Sequence, residues 1–331
     1  MRSFIKAAAF LVALLCAIVL AALYLTPWPG ALLIRYVFDQ GAAKASAALE
    51  KHVPPQISAQ TGLHYDPFDP DGYLDIYRPA NPPPSALPLV VWVHGGGFVS
   101  GRRSDVANYL KALAGRGFVT VSVDYSIAPG ATYPTPLRQL NAALGYLTRE
   151  GADLGVDSSR LILAGDSAGA QIVAQVSNLA TSPAYAQAVG IAPTVKPQNI
   201  AGVVLFCGLY DLKAMNTDGP FGLFLKTVIW SYSGSRDGLA DPKFALMSVK
   251  SHVTPKFPAA FISAGNADPL ASHSHALAET LTAQGVRVET LFFPDLYEPR
   301  LAHEYQFDLD GEAGRLALDR ISAFIRSVAK P

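Results

Sequence analysis

Charge of either sign is not in excess in this sequence: 26 lysines and arginines face 26 aspartates and glutamates. A balanced chain has no long-range field to gather nucleic acid, an anionic surface or a strongly acidic substrate, so such a partner has to be recognised locally. Cysteine is scarce. Cys16 falls in an apolar N-terminal run and Cys207 in a strand-like run, so two free, buried thiols are expected rather than a disulfide framework. There is no His/Cys cluster at metal-ligand spacing, no dinucleotide fingerprint and no phosphate loop, and Gly95-Gly96-Gly97 lacks the spacing of either glycine motif. No cofactor or metal is expected. What is abundant is apolar surface: 50% of 331 residues are hydrophobic and 16% charged, enough for one large core or two ordinary domains and incompatible with a disordered or collagen-like chain.

The N-terminus has its own character. Arg2 and Lys6 precede an uncharged run over residues 7–25, which as a helix would extend roughly 28 Å and nearly match a hydrocarbon core. Leu20-Ala21-Ala22-Leu23-Tyr24 is a poor cleavage pattern, so residues 1–30 read as a signal anchor with the basic end cytoplasmic and the catalytic domain exported. Cleavage of the segment would make the protein secreted. Residues 31–62 read as a linker or cap helix, because Leu32, Leu33, Tyr36 and Val37 recur near helical spacing and Pro54-Pro55 ends the segment.

From about residue 63 onward, short β-branched runs alternate with helical patterns. Strands are expected at 73–77, 89–93, 119–123, 161–164, 202–206, 259–263 and 287–293. Several are continuous in Val, Leu, Ile and Phe, as strands covered on both faces are, which gives an α/β class with a mostly parallel sheet and helices on both faces. Between about residues 212 and 252 the pattern becomes irregular and aromatic, with Phe221, Phe224, Trp230 and Tyr232, and reads as a cap insertion. Pro82-Pro83-Pro84 reads as a solvated turn.

Gly165-Asp166-Ser167-Ala168-Gly169 follows one such strand and precedes a helix-compatible stretch. This is the context of a G-x-S-x-G elbow, in which a serine on a strained strand-to-helix turn is presented at the sheet edge and the glycines remove side chains that would collide. The helix N-terminus behind Ser167 favours negative charge developing on a substrate. Upstream, His94-Gly95-Gly96-Gly97-Phe98 comes directly after the 89–93 strand. The N–H groups of Gly96, Gly97 and Ala168 are suited to an oxyanion hole, worth roughly 3–4 kcal/mol per donor. His94 is expected to orient this loop and Asp166 to hold nearby backbone.

On these residues, with Leu74-Asp75-Ile76-Tyr77-Arg78-Pro79 and Asp124-Tyr125-Ser126-Ile127-Ala128-Pro129, the chain resembles the bacterial hormone-sensitive-lipase-like (family IV) esterases, over roughly residues 60 to 330. The resemblance implies an α/β-hydrolase fold with a cap made by the N-terminal and inserted segments. It implies a catalytic acid at Asp268, in Gly265-Asn266-Ala267-Asp268-Pro269-Leu270, and a base at His303, with Tyr305 where the family commonly has Phe. In the implied mechanism His303 takes the proton of Ser167 as it attacks an acyl carbonyl, and Asp268 fixes the imidazole tautomer. An acid limb near roughly pH 6–7 is expected for an imidazole that must be neutral. His52, His64, His252, His273 and His275 read as surface or packing residues. The chain departs from the family at Ser126-Ile127 and Gly130, which removes a salt-bridge partner, in the longer segment 295–301 before His303, and in the apolar N-terminus, which suggests an envelope substrate.

The function expected is therefore a serine carboxylesterase acting on small-molecule acyl esters of short to medium chain length, held to a membrane through its N-terminal helix and without nucleic acid as partner. The same acyl-enzyme would serve an amidase, a formamidase or an envelope acyl-transferring enzyme. A membrane-tethered binding protein on the same scaffold is the non-catalytic alternative.

Overall fold

The structure, a computed structural model, describes residues 2–83, 87–219 and 221–329, with side chains of the first helix from residue 4 onward. The turn expected at Pro82-Pro83-Pro84 runs outside the described residues at Pro84, as does the side chain of Arg2. One eight-stranded sheet comprises β1 (Ile57–His64), β2 (Tyr73–Pro79), β3 (Leu89–Val93), β4 (Val119–Val123), β5 (Leu161–Asp166), β6 (Ile200–Phe206), β7 (Ala260–Ala264) and β8 (Val288–Phe292). Its spatial order is β1-β2-β4-β3-β5-β6-β7-β8, antiparallel at β1/β2 and β2/β4 and parallel elsewhere. The helices are α1 (Arg2–Leu25), α2 (Trp28–Leu49), α3 (Ala107–Ala114), α4 (Thr135–Arg149), α5 (Gly151–Leu154) and α6 (Ser167–Thr181), followed by α7 (Pro183–Val189), α8 (Gly222–Ser233), α9 (Pro242–Ala245), α10 (Ala271–Ala283) and α11 (Glu312–Val328).

Strands β3, β4, β5 and β7 are buried along their whole length because both faces are covered. In β3, Leu89, Val91 and Val93 pack into one layer with Leu140 and Leu144 of α4 and Ile172 and Val176 of α6. Val90 and Trp92 point into the other layer, with Tyr109 and Leu113 of α3 and Ile321 and Phe324 of α11. Period-two alternation thus feeds two cores rather than one core and solvent. β1 was expected to be part of the linker before residue 63, but Ile57 to His64 pairs with β2 at the sheet edge. Its sequence is polar and its middle exposed, so backbone pairing rather than an apolar stripe makes it a strand, which hydropathy does not reveal.

Two further expectations change. Cys207 is buried, but Cys16 is exposed on α1, because the apolar run of α1 is not covered by the rest of the fold: Phe4–Leu25 is long and apolar enough to cross a membrane and none of it is buried. His64 lies on β1, stacked on Tyr73 with ring centroids 4.2 Å apart.

β3 and β5 are neighbours in register, Val93 opposite Gly165, and this pairing positions the site. α6 leaves β5 across the end of β3 so closely that a Cβ on Gly169 would collide with the carbonyl oxygens of Val93 and His94. Both obstacles are backbone, so Gly169→Ala cannot be absorbed by a rotamer change. It is expected to cost about 1–3 kcal/mol or more through overpacking, measured as a lowered urea midpoint with unchanged m-value.

Candidate active site

The end of β5 becomes the first turn of α6 at Ser167, with φ 51°. The loop after β3 turns through Gly96 (φ 114°), Gly97 (φ 60°) and Phe98 (φ 62°), a run of left-handed residues that only glycine enters without strain at its first two positions. The other positive-φ non-glycine residues are Cys207 and Glu304. Among the described residues, all four such positions therefore border one site, where about 1–3 kcal/mol of backbone strain each is held by the surroundings.

Ser167 Oγ lies 2.9 Å from His303 Nε2, and His303 Nδ1 lies 2.9 Å from Asp268 Oδ1. The three residues named from sequence are brought into one hydrogen-bonded chain. The backbone of Leu270 donates to Asp268 Oδ1 at 2.8 Å, and the buried Oδ2 has no partner. Burial works to lower the His303 pKa, but Cys207 and the hydrogen bond to Asp268 work the other way, and the net direction is upward from the ordinary imidazole value. Burial also pushes the Cys207 thiol up to about 11, so at neutral pH it is uncharged and the carboxylate carries the effect. Cys207, Asp268 and His303 place three potential metal-ligand atoms within 4.8 Å of one another; with the thiol neutral and two of the three already in the chain to Ser167, the arrangement suits proton transfer.

Gly96, Gly97 and Ala168 line the same cavity as Ser167 and His303. Two buried groups hold the glycine loop from behind. His94, made neutral by burial, sits with Nδ1 2.8 Å from the Gly95 oxygen and stacks on Tyr125 at 4.3 Å. Asp166 accepts from Trp92 Nε1 at 2.7 Å and from the Gly95 N–H. Burial and the nearby Glu304 carboxyl, to which it is hydrogen-bonded, raise its pKa well above the usual range, against the Trp92 bond. Glu304 in turn places its Oε1 3.8 Å from His303 Nε2. Glu304 was not named from sequence, and Cys207 only as a buried thiol; a glutamate next to the expected base was the one available signal.

The segment 295–301 is anchored. Asn266 donates to the Tyr297 oxygen at 2.9 Å and accepts from the Leu301 N–H at 2.8 Å, while the Ala267 N–H reaches the Leu301 oxygen at 2.9 Å. Tyr305 uses the hydroxyl that a phenylalanine would lack, 2.6 Å from Ser263 Oγ. The Asp-Tyr element finds other partners: Arg103 pairs with Asp75 at 2.9 Å and with Asp124, and Gln139 binds Ser126 and Asp69. The remaining histidines pack elsewhere: His52 meets Asp310, His252 leans on Tyr185, His273 is buried and His275 stacks on Phe292.

Above Ser167 is a cavity of about 590 Å³. Val37, Phe38 and Ala42 of α2 form one wall, and Phe224 and Val228 of α8 another.

A family model described as the alpha/beta hydrolase fold matches residues 90–298, which includes the glycine loop, the elbow and Asp268. The chain belongs to the α/β-hydrolase superfamily, in its hormone-sensitive-lipase-like branch. Among relatives in this family, the carboxylesterase NlhH of Mycobacterium tuberculosis is 30% identical over 284 residues, 82% of this chain and 84% of its own. The esterase LipI of the same organism is 30% identical over 232 residues, 67% of this chain and 68% of its own. The crystal structure of esterase B from Lactobacillus rhamnosis has the same fold, with a TM-score of 0.76 at 23% identity over 90% of this chain and 95% of that one. A Pyrobaculum calidifontis esterase gives 0.72 at 23% identity, over 90% and 93%.

Asn266 ties the His303 segment to the loop of Asp268. Asn266→Ala is expected to cost about 1–3 kcal/mol, since it leaves the Leu301 N–H without its acceptor. Limited proteolysis is expected to cut the variant within residues 295–301 well before the wild type.

Proposed function

We propose that this carboxylic ester hydrolase works through an acyl-enzyme on Ser167 and takes small acyl esters of short to medium chain length. The observation that carries this reading is the unbroken chain from Ser167 through His303 to Asp268 at the floor of an apolar cavity. Ser167 Oγ attacks the acyl carbonyl while His303 Nε2 accepts its proton. The oxygen that becomes an anion is met by the N–H groups of Gly96, Gly97 and Ala168, aided by the N-terminus of α6. His303 then returns the proton to the departing alcohol, and a water activated by the same imidazole releases the acid. Asp268 keeps Nδ1 protonated and stabilises the imidazolium. We further propose that α1 anchors the protein, with the hydrolase domain on the exported side.

Hydrolysis of p-nitrophenyl esters from acetate to palmitate tests the reading. Activity is expected to peak at short to medium chains and to fall by about 10⁴-fold or more in Ser167→Ala; equal rates in the two proteins would place the nucleophile elsewhere.

The pH profile separates the role of Asp268 from that of a spacer. The base must be neutral, so kcat/KM rises with pH through the His303 pKa. Because that pKa is held up, the acid limb is expected above the ordinary imidazole value of about 6.5, rather than near it. Asp268→Asn is expected to move the limb to lower pH and reduce kcat by about 10⁴-fold; a limb that stays in place would remove the carboxylate from the proton path.

A further inference from the structure

The chain enters the fold through the rim of its own cavity. Only Thr26 and Pro27 separate α1 from α2. Along α2, Ala31 is fully buried and Phe38 meets Phe224 of α8 with ring centroids 5.6 Å apart. The opposite side of the first turns carries Leu32, Leu33, Tyr36 and Val37, between 50% and 66% exposed. By a helix's rise these residues lie within about 14 Å of Trp28. Farther along, the exposed residues of α2 include Gln40 and Lys44, and Glu50 and Lys51 follow. The outward face therefore changes from large and apolar to small and polar side chains as the chain leaves α1.

The beginning of α8 continues the apolar rim, with Phe221 exposed and Leu223 80% exposed. α2 and α8 are in close contact, since a Cβ on Gly30 would meet the Thr227 side chain at 2.8 Å. Val37 and Phe221 both line the cavity and face outward, so they stand at its mouth. The Arg236 guanidinium lies over the rings of Tyr24, at the end of α1, and Trp230 of α8, at 4.1 and 4.4 Å, fastening the apolar helix to the cap. Other large apolar side chains exposed on the domain, such as Phe68, Leu296 and Leu316, are far apart in the chain. A contiguous apolar rim with a cationic and aromatic border marks an interaction surface of the interfacial kind.

We propose that this rim docks on the same bilayer that α1 enters, so that the cavity mouth opens at the headgroup boundary and the enzyme draws an uncharged, membrane-partitioned acyl ester into it. The proposal rests on the reading of α1 as an anchor and of Ser167 as nucleophile. Continuity with α1 identifies the occupant as lipid. The charge at the cavity wall selects the substrate class: among the described residues the ionisable groups lining it are Asp105, Asp166, Glu304, His94, His303 and Tyr232, with no lysine or arginine to pair with a phosphate. A neutral glyceride-type ester fits such a wall and an anionic phospholipid does not.

The test uses the full chain reconstituted in phosphatidylcholine vesicles, with 1,2-dioctanoylglycerol in the bilayer and p-nitrophenyl acetate in the water. Leu33→Glu with Leu223→Glu changes two exposed rim residues that do not line the cavity. This variant is expected to float with the vesicles as the wild type does, because α1 is intact, and to keep p-nitrophenyl acetate turnover within about twofold while dioctanoylglycerol turnover falls about tenfold or more. Equal losses on both esters, or no loss on either, would refute docking. Hydrolysis of a phosphatidylglycerol as fast as the diacylglycerol would refute the uncharged class. A wild type that cleaves neither ester removes the hydrolytic reading and this one with it, whereas wild-type cleavage of the soluble ester alone sinks only this one.

Discussion

The pairing of β3 with β5 is the constraint on which the rest of the site depends. Their register sets Val93 opposite Gly165, so the two loops that leave these strands emerge side by side at one sheet edge. One loop carries the backbone donors and the other the serine. The crossing of α6 over β3 then fixes their separation, and it is possible only because residue 169 has no side chain. Open parallel sheets place sites at such edges because strands that reverse their order leave a crevice between loops running opposite ways.

His303 and Asp268 reach the serine by a different device. Asp268 and His303 lie on loops after β7 and β8, which are adjacent and parallel, but strand order alone does not bring a loop as long as 295–301 into position. Asn266 does so through its side-chain amide, and the Ala267 N–H adds a backbone tie. The stretch from Gly265 to Leu270 therefore carries Asp268 and also holds the segment that delivers His303. Behind them the buried Asp166 carboxyl is pushed above the usual carboxylate range by desolvation and by the neighbouring Glu304.

Much of this was legible in the sequence, for identifiable reasons. Seven strands were readable because β-branched and apolar residues dominate each, several of them continuously, and the glycine loop and elbow because close backbone approach admits few residues besides glycine. β1 was not readable: its polar, exposed residues carry no stripe, and its pairing is a property of β2's free edge. The surroundings of His303 were legible only as far as the residue itself. That Asn266 would anchor the loop, that Tyr305 would use its hydroxyl on Ser263, and that Glu304 would meet Asp166 are long-range contacts, and nothing in local periodicity encodes them. The exposure of Cys16 was missed for a simpler reason, since an apolar run predicts burial without saying in what medium.

The second helix has two tasks that are usually assigned to separate parts. Val37, Phe38 and Ala42 form a wall of the cavity, and the same helix is the direct continuation of the apolar helix before it. Trimming the N-terminus to obtain a soluble form would therefore not yield the same enzyme in another place; a cut through α2 leaves the cavity roofless. Nor can the first fifty residues be exchanged for an unrelated anchor as a cassette. The apolar helix and the pocket wall are written in one stretch of chain, and an alteration selected for one is inherited by the other.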